Sequence, residues 1–152
     1  MSAMREKSRV RIAVRNVRVN DSAVIARLLG ELGYPTEASA VRRRLGQIRR
    51  SQGSHVLVAV ARGNVVGVVG MQLMPLLHRD RGLCRILAIS VDADYTRRGV
   101  GTRLLKAAES LAGRAGCHRV ELTTAPERTG AHKFYRRLGY ERASVRFAKT
   151  IV

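Results

Sequence analysis

The chain has 152 residues, 45% of them hydrophobic, which suits one folded domain and excludes a disordered chain. No apolar run approaches the ~20 residues of a membrane span. The formal net charge of +18 would attract polyanions, but four Tyr, two Phe and no Trp give little to stack bases on.

RVRIAVRNV alternates apolar and polar residues, with Val10, Ile12 and Val14 on one side, and predicts a half-buried strand. NDSAVIARLLGELG predicts a helix capped by Asn20 or Asp21, with Val24, Ile25, Leu28, Leu29 and Leu32 at helical spacing. After the break at Tyr34-Pro35, a helix capped at Thr36 turns Val41, Leu45 and Ile48 inward. HVLVAVARGNVVGVVGMQLMPLL predicts a hairpin about Arg62-Gly63-Asn64, with Pro75 ending or bending its second strand. HRDRG is expected as a polar loop, and LCRILAISV as a central strand, apolar on both faces. A helix is expected from about Gly99 to Ala115, with Gly116 at its C-cap. HRVELTT then predicts a strand, RTGAHKFYRRLGY a short helix ending at Gly139, and ERASVRFAKTIV two short strands or one bent strand.

The strand–helix–strand unit from Leu83 to Thr124 requires a parallel, right-handed crossover, while the short turns before it suit antiparallel pairing. The expected fold is therefore α/β. A mixed, mostly antiparallel sheet of six to seven strands is flanked by about four helices. A ligand site belongs near the carboxyl end of the strand entering the crossover. There stands TRRGVGT, Thr96–Thr102. Glycine costs about 1 kcal/mol inside a helix, so a helix opening on Gly99 and Gly101 needs another reason. A helix start offers free amides and partial positive charge, and glycines let phosphate approach that backbone. Arg97, Arg98 and Arg103 add full charges, and the stretch suits a pyrophosphate. A dinucleotide turn fits poorly, because Leu104 replaces its third glycine; a P-loop lacks its Gly-Lys-Ser/Thr.

The run ILAISVDADYTRRGVGTRLL, followed by ELTT and GAHKFYRRLGYE, resembles the GNAT superfamily of N-acetyltransferases over roughly Val10 to Val152. The glycine pair matches its acetyl-CoA signature, and Ala131 to Tyr140 match a second motif. Two positions depart from the usual pattern: Thr96 stands for Gln or Arg, and Arg128 for Asn. The resemblance implies an acetyl-CoA-dependent N-acetyltransferase acting by direct attack of an amine in a ternary complex, with no metal. It assigns Arg97, Arg98, Gly99, Val100, Gly101 and Thr102 to the pyrophosphate. Backbone of Ile89 and Val91 goes to the pantetheine arm, with an amide near Val91 on the acetyl carbonyl. Ala131 and Phe134 pack on the cofactor, and Tyr135 gives a proton to the leaving thiolate.

The acceptor is expected to be a small-molecule or peptide amine. Glu31, His78, Asp80 and Glu121 are candidate bases, and none is singled out; His55, His118 and His132 are expected to be structural. Two alternatives keep the fold without turnover: a basic nucleic-acid-binding module, and a CoA-binding regulatory domain. Among the 29 basic residues only Lys7, Lys106, Lys133 and Lys149 are not arginine, and the scatter of the arginines does not favour nucleic acid. A homodimer is compatible with this reading. Cys84 and Cys117 have no metal-like spacing and are expected as buried thiols of a cytoplasmic protein. Residues 1–8 have charge but no apolar h-region and are expected to form a disordered leader, not a secretory signal. The remainder is expected as one domain.

Overall fold

The computed structural model describes residues 9–152, so the leader expected over 1–8 lies outside it. The chain divides into two compact units, 1–122 and 123–152. The first holds strands β1 (Ile12–Asn16), β2 (Ser54–Ala61), β3 (Asn64–Leu76), β4 (Arg79–Val91) and β5 (Arg119–Leu122), with helices α1 (Ser22–Leu32), α2 (Ala38–Arg50) and α3 (Val100–Arg114). The strands lie in sequence order; β1 to β4 are antiparallel neighbours and β5 runs parallel to β4. The second unit holds helix α4 (Thr129–Arg137).

The β2–β3 turn is formed by Arg62 and Gly63, both at positive φ (51° and 77°), as a twist-matched two-residue hairpin turn requires. β3 then alternates between two helical layers. Val68 joins Ile25, Leu28, Val41, Leu45 and Val58 in the core beneath α1 and α2. The preceding Gly67 faces α3: a Cβ there would stand 2.9 Å from Val100 Cγ1 and 3.0 Å from Leu104 Cδ1. Successive strand residues point to opposite faces, so α1 and α2 cover one face and α3 the other. Glycine at 67 lets the first turn of α3 lie close against the sheet. Val100, Leu104, Leu105 and Ala108 of α3 are buried, as are Cys84 and Cys117, both free thiols. Burial pushes the Cys84 thiol up to about 11, with Cys117 adding to the shift.

Several boundaries differ from expectation. The sheet has five strands among the described residues, not six to seven. In the second unit, residues 141–152 form no strand. Val145, Phe147 and Ile151 alternate as a strand would but are 80%, 93% and 92% exposed. Alternation supplies an apolar face; a strand also needs a hydrogen-bonded neighbour. Pro75 bends β3 rather than ending it, at a register shift between Met74 and Leu76. The polar loop shrinks to Leu77 and His78, because β4 already begins at Arg79. Helix α2 starts at Ala38 after Glu37, while the Thr36 hydroxyl donates to the Tyr34 carbonyl, 2.8 Å away. Asp21 precedes α1 without capping it through its side chain. Its carboxylate instead accepts both Arg15 Nη atoms (2.9 and 3.0 Å) and the Arg18 amide (2.7 Å). The Arg15 hydrogen bonds hold that carboxyl below the usual carboxylate range.

Candidate functional site

β4 and β5 pair only from Leu83↔Arg119 to Ile86↔Leu122. β4 runs on to Val91, paired with β3 alone, so its other edge has no strand partner there among the described residues. The fork coincides with a bulge. Gly70 lies opposite Ala88 and Met71 opposite Ile86, which leaves Leu87 as an extra, 66% exposed residue. Ile89 and Val91 both lie beyond the fork.

The open stretch of β4 leads into the loop before α3. Asp92 governs its entry. The Asp92 amide donates to the Val66 carbonyl (2.8 Å), and its carboxylate accepts the Asp94 amide (2.9 Å) and Arg27 Nη2 of α1 (3.0 Å). The Asp94 amide is the main cause holding the Asp92 carboxyl below its ordinary value. Beside it, the buried Ser90 donates its hydroxyl to the Leu28 carbonyl of α1 at 2.9 Å.

The loop closes through two left-handed residues, Arg97 (φ 61°) and Gly99 (φ 83°). Glycine adopts that region freely; arginine costs roughly 1–2 kcal/mol there, a cost usually met at constrained functional turns. Arg98 stacks its guanidinium 5.5 Å from the centre of the Tyr95 ring. Gly99 is the N-cap of α3, and its carbonyl accepts the Arg103 amide at 3.0 Å. The amides of Val100, Gly101 and Thr102 have no acceptor among the described residues, as the first turn of a helix dictates. A Cβ on Gly99 would meet no heavy atom within 4 Å. Arg97, Arg98 and Arg103 are exposed around it.

In the second unit, α4 carries Ala131, Phe134 and Tyr135, all half-buried. Tyr135 sits between two rings, with centroids 5.3 Å away at Phe134 and 6.0 Å at Tyr140. Burial pushes the Tyr135 phenol above its ordinary value, against an opposing effect of Arg128. His132 Nε2 lies 2.9 Å from the Ala125 carbonyl, where it donates, a structural role.

The expected site residues thus fall into two sets. Ile89, Val91 and Arg97 to Thr102 form a continuous strand–loop–helix path in the first unit. Ala131, Phe134 and Tyr135 share one helix in the second. Sequence reasoning missed Gly67, Ser90 and Asp92, which fix that path in place. Only Asp92 carried a local signal, the Asp-x-Asp spacing of an Asx turn just after a strand. Among the described residues no group of three or more His, Cys, Asp or Glu could hold a metal ion, and no helix is long and apolar enough to cross a membrane.

Comparison with known proteins agrees with this fold. An aminoalkylphosphonate N-acetyltransferase of Salmonella typhimurium is 33% identical over 97 residues, covering 64% of this chain and 63% of that protein. The chain thus matches under two thirds of that relative's length. Two solved structures share the fold. A GNAT family acetyltransferase of Staphylococcus aureus has a TM-score of 0.79 at 24% identity, covering 92% of this chain and 98% of that one. A putative acetyltransferase of Agrobacterium tumefaciens has a TM-score of 0.84 at 20% identity, covering 91% and 99%. The sequence profile of the acetyltransferase (GNAT) family matches residues 23–140, and with that match the chain belongs to this family.

Proposed function

We propose that the chain moves the acetyl group of acetyl-CoA to a primary amine, by direct attack of the amine in a ternary complex, with both units acting as one domain. The observation that carries this reading is the meeting of two sets of unpaired backbone groups at one loop: the β4 edge beyond Ile86 and the amides of Val100 to Thr102. One suits an extended amide-bearing arm that adds to a strand edge, and the other suits a pyrophosphate. The open space at Gly99 and the three exposed arginines fit the same anion.

Acetyl-CoA, when bound, supplies a thioester carbonyl open to attack. The chain's own residues do the rest. Amides from Arg98 to Thr102 hold the diphosphate, with Arg97 and Arg98 beside it. Backbone of Ile89 and Val91 aligns the arm, and an amide near Val91 donates to the acetyl oxygen as it gains charge. Ala131 and Phe134 pack against the cofactor. Tyr135, kept protonated by its burial, gives its proton to the sulfur. The thiols of Cys84 and Cys117, buried and free, suit the cytoplasm, where we place the protein.

The test is CoA release by the purified chain in the presence of a panel of primary amines, with the acetylated amine identified by mass. Amine-dependent release is expected. Tight acetyl-CoA binding with no release for any amine would contradict the proposal and favour a CoA-sensing regulatory role.

A further inference from the structure

We infer that the outer face of α2 docks on the phosphate backbone of double-stranded DNA. This is a second binding surface, and it does not depend on the acetyl-transfer reading.

The sequence spreads its positive charge, but the structure concentrates part of it. Between Glu37 and Asp80 the chain has no acidic residue. Helix α2, ASAVRRRLGQIRR, falls inside that stretch and holds Arg42, Arg43, Arg44, Arg49 and Arg50. Val41 and Leu45 are buried in the core beneath the helix and Ile48 is half-buried, which fixes its inward side. An α-helix turns about 100° per residue. Arg42 and Arg49 therefore share one flank, two turns apart, and Arg43 and Arg50 share the position opposite the buried residues. Arg44 falls on the other flank, with Glu37. The outer face thus carries two arginine pairs, roughly 10 Å apart along the axis.

These arginines have nothing within the described chain to neutralise them. All five are exposed, and none has an ion pair or a side-chain hydrogen bond among the described residues. Arg15, Arg27, Arg85 and Arg119, by contrast, each hold a carboxylate.

Gly46 stands among the four outer arginines. Glycine is costly inside a helix. A Cβ at Gly46 would meet no heavy atom within 4 Å, so no packing within the described chain calls for glycine there. A bare position between two pairs of guanidinium groups lets an external backbone come close to the helix.

The chemistry of the face selects its partner. A protein interface needs an apolar or aromatic anchor at the centre of its patch. A membrane needs apolar side chains to insert. Between its arginines the outer side of α2 offers only Ser39, Gly46 and Gln47. A single nucleic-acid strand needs aromatic rings to stack its bases on, and α2 has none. The phosphates of a duplex need only cations, and guanidinium forks match their oxygens. The major groove of B-form DNA, about 12 Å wide, admits a helix, whereas that of A-form RNA is deep and narrow. The net charge of +18 adds a long-range attraction to the same polyanion.

The experiment follows the fluorescence anisotropy of a labelled, mixed-sequence DNA duplex titrated with the purified chain over roughly 50–200 mM salt. Four phosphate contacts predict that log K falls with log salt at a slope of about −3.6. The double variant Arg43→Gln, Arg50→Gln removes two charges from the face and keeps a good helix former at both positions. Its slope should shrink to about −1.8 and its affinity fall at least about 10-fold. The double variant Arg11→Gln, Arg79→Gln removes the same net charge from exposed positions off α2 and should keep the wild-type slope. Near 0.1 M salt the Debye length is about 10 Å, so local contacts rather than net charge decide the comparison. Equal losses in the two variants, or no duplex binding at the lowest salt, would overturn the inference. So would tighter binding of an RNA duplex of the same length, of polyglutamate, or of phosphatidylcholine vesicles with about 30% phosphatidylserine. Acetyl-CoA affinity, measured in parallel, should stay at the wild-type value in both variants. A wild-type chain that binds the duplex but no acetyl-CoA would end the acetyl-transfer reading and leave this one standing.

Discussion

The Ser90 hydroxyl lies 2.9 Å from the carbonyl oxygen of Leu28, a buried hydrogen bond between β4 and α1, 62 residues apart in sequence. It anchors the open half of β4 to the helix behind it. Ser90→Ala removes the donor and leaves the carbonyl its place in the helix ladder. The expected cost is about 1 kcal/mol, which for a chain of this size lowers the melting temperature by roughly 2–4 °C. Thermal unfolding of the purified variant checks this. An unchanged melting temperature would mean that the bond contributes nothing net.

Gly67 and Val100 define how closely α3 approaches the sheet. The methyl of Gly67→Ala would stand 2.9 Å from Val100 Cγ1, a branched side chain with little freedom to turn aside. The helix start must move outward. A destabilisation of about 1–3 kcal/mol is expected, as for other overpacked cores, together with weaker acetyl-CoA binding. Denaturant unfolding and calorimetric titration read the two effects separately. Wild-type values for both would show that α3 has slack at this contact.

Tyr135 tests the proposed proton donor. Tyr135→Phe keeps the ring that packs between Phe134 and Tyr140 and deletes the hydroxyl alone. Under the proposal kcat falls roughly 10²-fold, at the low end for a general acid because thiolates leave without much help. Acetyl-CoA affinity should change little. The direction of the phenol's shift gives the pH dependence. Its value is raised, so the acid form persists through neutral pH and is lost only above the ordinary tyrosine range, near 10. The alkaline fall in rate should therefore move or vanish in the variant, while the acidic limb persists. Native turnover with an unchanged profile would reduce this tyrosine to packing.

The loop before α3 was readable because its requirements are local. Glycines at 99 and 101 beside three arginines, at the end of an apolar strand, stand out at a helix start whatever surrounds them, and Gly99 takes the left-handed backbone there. The mixed sheet followed from turn lengths and the crossover, also local features. Gly67 was not readable, because its constraint comes from α3, more than 30 residues further on. The Arg85–Glu121 pair depends on the β4–β5 register, and the exposure of Leu87 on the bulge in the β3–β4 pairing. No sequence pattern announces a bulge inside an apolar run. The closing segment misled in the opposite way: the alternation at Val145 and Phe147 is real, but the described residues offer it no neighbour.

The central claim is that a diphosphate sits on the first amides of α3, and calorimetric titration with acetyl-CoA tests it most directly. Gly101 lies in the first helical turn, where valine folds acceptably but places a branched side chain in the space the phosphate would use. Three variants belong in the same titration: Gly101→Val, Arg98→Glu, and Arg43→Glu from the far face of α2. The account predicts micromolar binding to the wild type, an affinity at least about 10-fold weaker in the first two with melting temperatures preserved, and no change in the third. Wild-type affinity in a folded Gly101→Val, or equal losses at Arg98 and Arg43, would contradict it.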